Sequence, residues 1–346
     1  MKIGLITVFY TENCGSILQA TALSDKLKEY GCDVYFISTK NKVSGHSFKR
    51  FFKNLLKSIK NKENIAHPIK KYYFYTKYIK KHFKIINYNN KNIDLIVIGS
   101  DTVWDITSRY FLESQPLFWG TYTRTIPKIS YAASIANSSY NQLDKLLYPI
   151  EALKEYKAIS VRDYYTKEYV ESRTGQNAKI VCDPTLLHEV EYYTKKCINI
   201  QDSKFLLLYL FDEPTQEIKE EITNFAKEKS LNIICLKGLG KCISFADKYV
   251  ESTIDNFLSY FYKADYIVTN TFHGTIFSII FNKNFVVLDY NKNKITLLLE
   301  QLNLSERLII KDIKKKFNKN IEYKDVNSKL NEMKKNGEEY LKEQIL

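Results

Sequence analysis

Several features that would give an early answer are missing from this sequence. No uncharged apolar run reaches the roughly 18 residues that a membrane-spanning helix needs. The opening MKIGLITVFY has a short apolar core and no small-residue cleavage site, so it does not read as a secretory signal. A cytoplasmic protein is expected. The six cysteines (Cys14, Cys32, Cys182, Cys197, Cys235 and Cys242) include no pair at two-residue spacing, and His188, after Cys182, completes no ligand set. Neither a disulfide framework nor a zinc site is indicated, and no metal is expected. The loop TENCGSILQA after the first apolar run carries one glycine, which excludes both the dinucleotide fingerprint and the Walker loop. There is no internal repeat and no low-complexity linker.

What is present suits a two-domain enzyme. The chain has 346 residues, with 45% hydrophobic and 26% charged residues, which is ordinary for a folded protein and long for a single core. The net charge of +13 is local: between Lys49 and Lys84 stand twelve Lys or Arg and one acid, Glu63. In that window Phe51, Phe52, Leu55, Leu56 and Ile59 fall at helical spacing, followed by Tyr72, Tyr73, Phe74, Tyr75 and Tyr78. Basic amphipathic helices result, and they serve either as a solvated face or as a contact with an anionic membrane at its inner side. Nucleic acid is not expected as a partner.

The apolar runs alternate with helical stretches in the manner of an α/β protein. Strands are expected at Lys2–Phe9, Asp33–Ile37, Asp94–Ile98, Lys128–Ala132, Ala158–Val161 and Ile180–Pro184. A second set follows at Phe205–Phe211, Asn232–Leu236, Tyr266–Thr269 and Phe285–Leu288. The domains are therefore placed at 1–190, with a basic helical insertion at about 48–86, and at 191–346, which ends in an amphipathic helix. Helices are expected at Ser16–Tyr30, Pro214–Lys229, Ser252–Phe261, Gly274–Phe281 and Asp325–Leu346, the last packing through Leu330, Met333, Tyr340 and Leu341.

In open α/β sheets the loops at the carboxyl ends of the strands face the ligand. Asn270–His273 is such a loop, ahead of a helix start at Gly274. His273 there acts either as an acid or hydrogen-bond donor to an anion, or as a helix cap. Asp101, after Asp94–Ile98, is either a base or a cap. Arg162 either grips a carboxylate or phosphate with its two-pronged guanidinium or forms a surface pair with Asp163. The amides around Gly15 and Gly274 are expected to help hold an anion.

Taken in order, MKIGLIT, NCGSILQATAL, DLIVIGSDTVW, ISYAASIA, AISVRD, IVCDPTLL and ADYIVTNTFHGTIFSIIFNKNF resemble the polysaccharide pyruvyl transferase family over nearly the whole chain. The resemblance implies two Rossmann-like domains facing across a cleft, as in glycosyltransferase-B enzymes. It also implies transfer of a pyruvyl group from phosphoenolpyruvate, with no separate cofactor, to sugar hydroxyls of a cell-surface polysaccharide or its lipid-linked precursor. On this reading His273 and Asp101 are catalytic, and Asn13, Gly15, Ser100, Arg162, Thr271, Gly274, Thr275 and Lys283 bind substrate. Characterised family members carry arginine two positions before the motif histidine, while a large part of the family has serine or threonine there, as this chain has Thr271; Lys237, Lys283 and Lys294 are the candidate replacements for that cation. The alternatives are a glycosyltransferase using a nucleotide sugar and a non-catalytic membrane or nucleic-acid binder.

Overall fold

The computed structural model describes residues 1–38, 51–52, 55–56, 66–87, 92–108, 115–123, 125–237, 243–288 and 293–346. Cys242, Tyr290 and much of the basic insertion, including Lys49, Arg50, Lys53, Lys57 and Lys60, lie outside these residues.

The chain divides into two compact units. The first comprises Met1–Glu12, Ser16–His188 and Met333–Leu346; the second comprises Asn13–Gly15 and Glu189–Glu332. The C-terminal helix expected with the second domain, Tyr323–Ile345, is thus shared, and its last part belongs to the first unit. There Tyr340 and Leu341 are buried, whereas Leu330 and Met333 are half-buried. The Tyr340 hydroxyl donates to the Ser130 carbonyl at 2.9 Å. Gly337 makes this seat possible, since a Cβ there would stand 2.6 Å from the Tyr131 hydroxyl.

Among the described residues the first unit has seven strands: β1 (Lys2–Ile6), β2 (Asp33–Ser38), β3 (Ile85–Asn87), β4 (Leu95–Asp101), β5 (Lys128–Ala133), β6 (Ile159–Val161) and β7 (Ala178–Ile180). They form a parallel sheet in the order β3-β2-β1-β4-β5-β6-β7. β4 is buried at every position, which is why it reads as an unbroken apolar run instead of an alternating one. One core is built on Ile96, Ile98 and Val161 with Trp104 and Trp119, whose rings stack at 5.1 Å.

The second unit contains β8 (Phe205–Tyr209), β9 (Asn232–Lys237), β10 (Lys248–Glu251), β11 (Tyr266–Thr269), β12 (Asn284–Leu288) and β13 (Leu308–Ile309). This sheet is also parallel, in the order β10-β9-β8-β11-β12-β13. Counted from its own first strand the order is 3-2-1-4-5-6, the same as in the first six strands of the other unit. In both sheets the chain runs outward through its first three strands and then crosses to the other side of the first, which puts a switch point between β1 and β4 and another between β8 and β11. Among the described residues no helix is long and apolar enough to cross a membrane.

Candidate functional site

At the switch point of the first unit the ends of β1 and β4 are tied by polar side chains. Thr7 Oγ1 donates to the Ser100 carbonyl at 3.3 Å, and Gln19 Nε2 reaches Thr7 Oγ1 at 2.9 Å and the Ser16 carbonyl at 2.9 Å. Asp101 accepts from Ser16 Oγ at 2.8 Å and from the Thr102 amide at 2.8 Å. Its φ of +70° is a left-handed conformation uncommon for a residue with a side chain, and it is held in place by those two bonds.

Farther along the same edge, Arg162 follows β6 and Asp183 follows β7. Arg162 donates to Asp183 Oδ2 at 3.2 Å, with both side chains almost wholly buried. The other oxygen of Asp183 accepts from the Thr185 amide at 3.0 Å and its hydroxyl at 2.7 Å. Arg162 is therefore not the surface partner of Asp163, which instead caps helix Tyr164–Thr174 through the Thr166 amide. A buried pair with added hydrogen bonds fixes the guanidinium in direction, and removal of either member would leave an uncompensated charge.

In the second unit the switch point is closed by Thr269 and Asn270. Thr269 Oγ1 donates to the Tyr209 carbonyl at 2.8 Å, and Asn270 Oδ1 accepts from the Phe211 amide at 2.9 Å. The helix that follows is Phe272–Ile280, beginning two residues earlier than expected, because Thr271 has extended backbone and its hydroxyl takes the Gly274 amide at 2.9 Å. His273 consequently lies in the first helical turn and is not a loop residue. Its ring packs on Gly15: a Cβ at Gly15 would fall 2.3 Å from Cγ and Nδ1 of His273. Beside it Cys14 Sγ donates to the Ser252 carbonyl at 3.1 Å.

Several of the expected binding residues are engaged within the protein. The amides of Gly15 and Gly274 are taken by Asn13 Oδ1 at 3.0 Å and Thr271 Oγ1, so the protein itself uses the donors assigned to an anion. Thr275 is fully buried and gives its hydroxyl to the Thr271 carbonyl at 2.9 Å. Ser100 is fully buried, 3.4 Å from Asp183 Oδ2. Ser100 and Thr275 thus build the scaffold. Lys283 precedes β12, whose first residue pairs with the first residue of β11, so it stands at the amino-terminal edge of the sheet. At about 3.3 Å per residue the strands alone separate that edge from His273 by roughly 10 Å or more. Burial lowers the pKa of its ammonium, which lies 5.6 Å from the Tyr262 ring centroid.

The other two lysines are at the carboxyl edge. Lys237 ends β9 and pairs with Glu251 at 3.6 Å. Lys294 lies 5.6 Å from the ring centroid of Phe272, the neighbour of His273. Asp183 is not among the site residues expected from the sequence, where it falls within the strand expected at Ile180–Pro184; the observed strand ends at Ile180. Its one signal in the sequence is an acidic residue directly before proline at the end of an apolar run. Among the described residues no group of His, Cys, Asp or Glu is arranged to hold a metal ion.

Solved structures with similar folds include UDP-GlcNAc 2-epimerase from Methanocaldococcus jannaschii, 14% identical with a TM-score of 0.52, covering 99% of this chain and 99% of that one. A second UDP-N-acetylglucosamine 2-epimerase gives 0.54 at 10% identity, over 94% of this chain and 90% of that one. S. aureus MnaA, solved with UDP, gives 0.50 at 14% identity, over 96% and 87%. At such identities the likeness is one of fold, the glycosyltransferase-B-like plan of two parallel-sheet α/β halves. A comparison with curated protein sequences returned no match. The sequence matches the model of the family described as polysaccharide pyruvyl transferase over residues 13–292, a span that takes in the strand-end residues of both sheets, and the chain belongs to that family of transferases.

Proposed function

We propose that the protein is a cytoplasmic transferase that moves the pyruvyl group of phosphoenolpyruvate onto two hydroxyls of a sugar, giving a pyruvate ketal on a cell-surface polysaccharide or its lipid-linked precursor. The observation that carries this reading is the family match across residues 13–292. A proton added to the enol methylene of the donor makes C2 oxocarbenium-like. One sugar hydroxyl adds there and loses its proton; the second then displaces inorganic phosphate and loses its own. The reaction needs an acid, a base and cations for a small trianion, and no further cofactor.

His273 is assigned as the acid, since it stands in the first turn of a helix at a switch point with its ring backed by Gly15. Asp101, aimed by Ser16 and Thr102, is assigned as the base. Arg162, braced by Asp183, is assigned to the donor's negative charge. Lys294 takes the part of the arginine that Thr271 replaces, because its ammonium is carried beside Phe272.

A second reading, a glycosyltransferase using a nucleotide sugar, is favoured by one observation: a structural neighbour was solved with UDP. Thermal unfolding with each donor separates the two. A ligand at about 100 times its dissociation constant stabilises by roughly 2.7 kcal/mol, so phosphoenolpyruvate should raise the melting temperature while UDP and UDP-sugars leave it unchanged. The reverse result would replace the first reading by the second.

A further inference from the structure

Helix Ala66–His82 carries no acidic residue and ends in Lys80, Lys81 and His82. One face holds it to the first unit. Tyr75 and Ile79 are buried, and Phe83, just past the helix, packs its ring against Phe36 at 4.2 Å and Phe9 at 5.7 Å. The other face is open. Ile69 is 46% exposed and Tyr73 66%, and Lys70, Lys77, Lys80 and Lys81 are exposed with them. At about 100° per residue, these six side chains share an arc of roughly 120°, with Lys80 and Tyr73 between Ile69 and Lys77. The preceding segment extends the same character: Phe51 sits 4.6 Å from the Tyr72 ring, while Phe52 (46%) and Leu56 (62%) are exposed.

We propose that this face docks on an anionic phospholipid bilayer, with the helix lying in the plane of the headgroups. The charge is complementary, four ammonium groups with no carboxylate between them on the helix. The apolar residues decide between the two polyanions that such a face suits. A nucleic acid would use the cations and the tyrosine ring, but exposed Ile69 and Leu56 gain nothing on a phosphate backbone. At a bilayer they enter the boundary between headgroups and acyl chains while the lysine stems extend outward to the phosphates. The inference stands apart from the reaction proposed above, since none of these residues is assigned to it.

Flotation of the full chain with vesicles of phosphatidylcholine, with and without phosphatidylglycerol, tests it. Binding is expected to the anionic vesicles at low salt, to weaken as salt rises, and to be absent with phosphatidylcholine alone. Near an anionic surface each lysine is worth about a fivefold change in partition. Together Lys70→Gln, Lys77→Gln, Lys80→Gln and Lys81→Gln should therefore reduce binding by on the order of several hundredfold. Ile69→Ser with Tyr73→Ser should weaken binding while keeping its salt dependence. All six positions are exposed, so circular dichroism should show the variants folded. Absence of wild-type binding to anionic vesicles at low salt overturns the proposal, as does undiminished binding of the fourfold variant. Tighter binding to duplex DNA or RNA than to anionic vesicles overturns it in favour of a nucleic acid.

Discussion

The carboxyl edges of the two sheets share one strand order and differ in chemistry. In the first unit the edge is built on charge: Asp101 held by Ser16 and Thr102, and Arg162 held by a buried Asp183. In the second, residues Asn270–Thr275 contain no Asp, Glu, Lys or Arg. Their hydroxyls and amides bond one another, and His273 is the one ionisable side chain among these six residues. Topology thus fixes where polar loops converge, and the side chains decide what each place can do. An edge of fixed charges suits holding an ionic substrate in one orientation. An edge of neutral caps around a histidine suits a proton donor.

The sharpest break of that contrast is at His273. His273→Asn keeps a hydrogen-bond donor of similar shape and removes the titrating proton. Turnover should fall by about 100-fold to 10,000-fold, the range for a general acid, with donor affinity little changed. Steady-state kinetics with calorimetric donor binding reads both quantities. Near-normal values of both would make His273 a structural residue of the helix start. Gly15→Ala should reproduce the same signature more weakly, because its methyl group would displace the ring it backs.

In the first unit the expected signature includes a loss of donor binding. Arg162→Ala should nearly abolish turnover, and Arg162→Lys should raise the Michaelis constant for phosphoenolpyruvate, since an ammonium cannot reproduce the fork. Unchanged donor affinity in a folded Arg162→Ala protein would remove the assignment. Asp183→Asn tests the brace. Breaking one side of a buried pair costs about 3–5 kcal/mol, which urea unfolding would register. If Asp183 also aims Arg162, the Michaelis constant rises in the protein that remains folded.

Lys294→Gln asks whether the cation beside Phe272 serves the donor. A rise of about fivefold in the Michaelis constant for the donor, with turnover kept, is expected of one half-exposed charge contact, worth roughly 1 kcal/mol. No change would leave the place of the family arginine unfilled by this residue.

Much of this contrast was legible in the sequence because central parallel strands are buried on both faces. β1, β4, β8, β11 and β12 announce themselves as apolar runs. β3, β10 and β13 did not, being edge strands of two to four residues with polar or half-exposed positions. Local chemistry also gave His273 and Asp101 as strand-end residues. It erred where the answer is non-local. Asp183 and Arg162 stand 21 residues apart and meet only because β6 and β7 are neighbours. Lys283 is a candidate for the missing cation in the sequence, yet a helix of nine residues carries the chain back to the opposite edge before it. The last turns of the C-terminal helix join the first unit through Gly337 and Tyr340, contacts that its amphipathic pattern does not specify.

The smallest expected effect concerns the other buried histidine, and it separates structural from chemical use of the same side chain. His188 lies in the first unit with Nε2 2.9 Å from the Ala22 carbonyl, and it is buried. Burial lowers its pKa, Lys26 lowers it further, and the Ala22 bond, Glu29 and Asp25 oppose that shift without cancelling it. The folded state therefore holds this ring neutral at a pH where the unfolded chain, titrating near 6.5, already takes up a proton. The unfolded state binds more protons, so stability is complete above about pH 6.5 and declines as pH falls toward the lower folded value. His188→Gln retains a donor for the Ala22 carbonyl and has nothing to titrate. Urea unfolding between about pH 7.5 and pH 5.5 should show a downward slope in the wild type that is smaller in the variant, while the pH profile of turnover stays the same in both. An identical stability slope in the two proteins would mean that His188 is not its source. A shifted turnover profile would show that the division drawn between the two histidines is wrong.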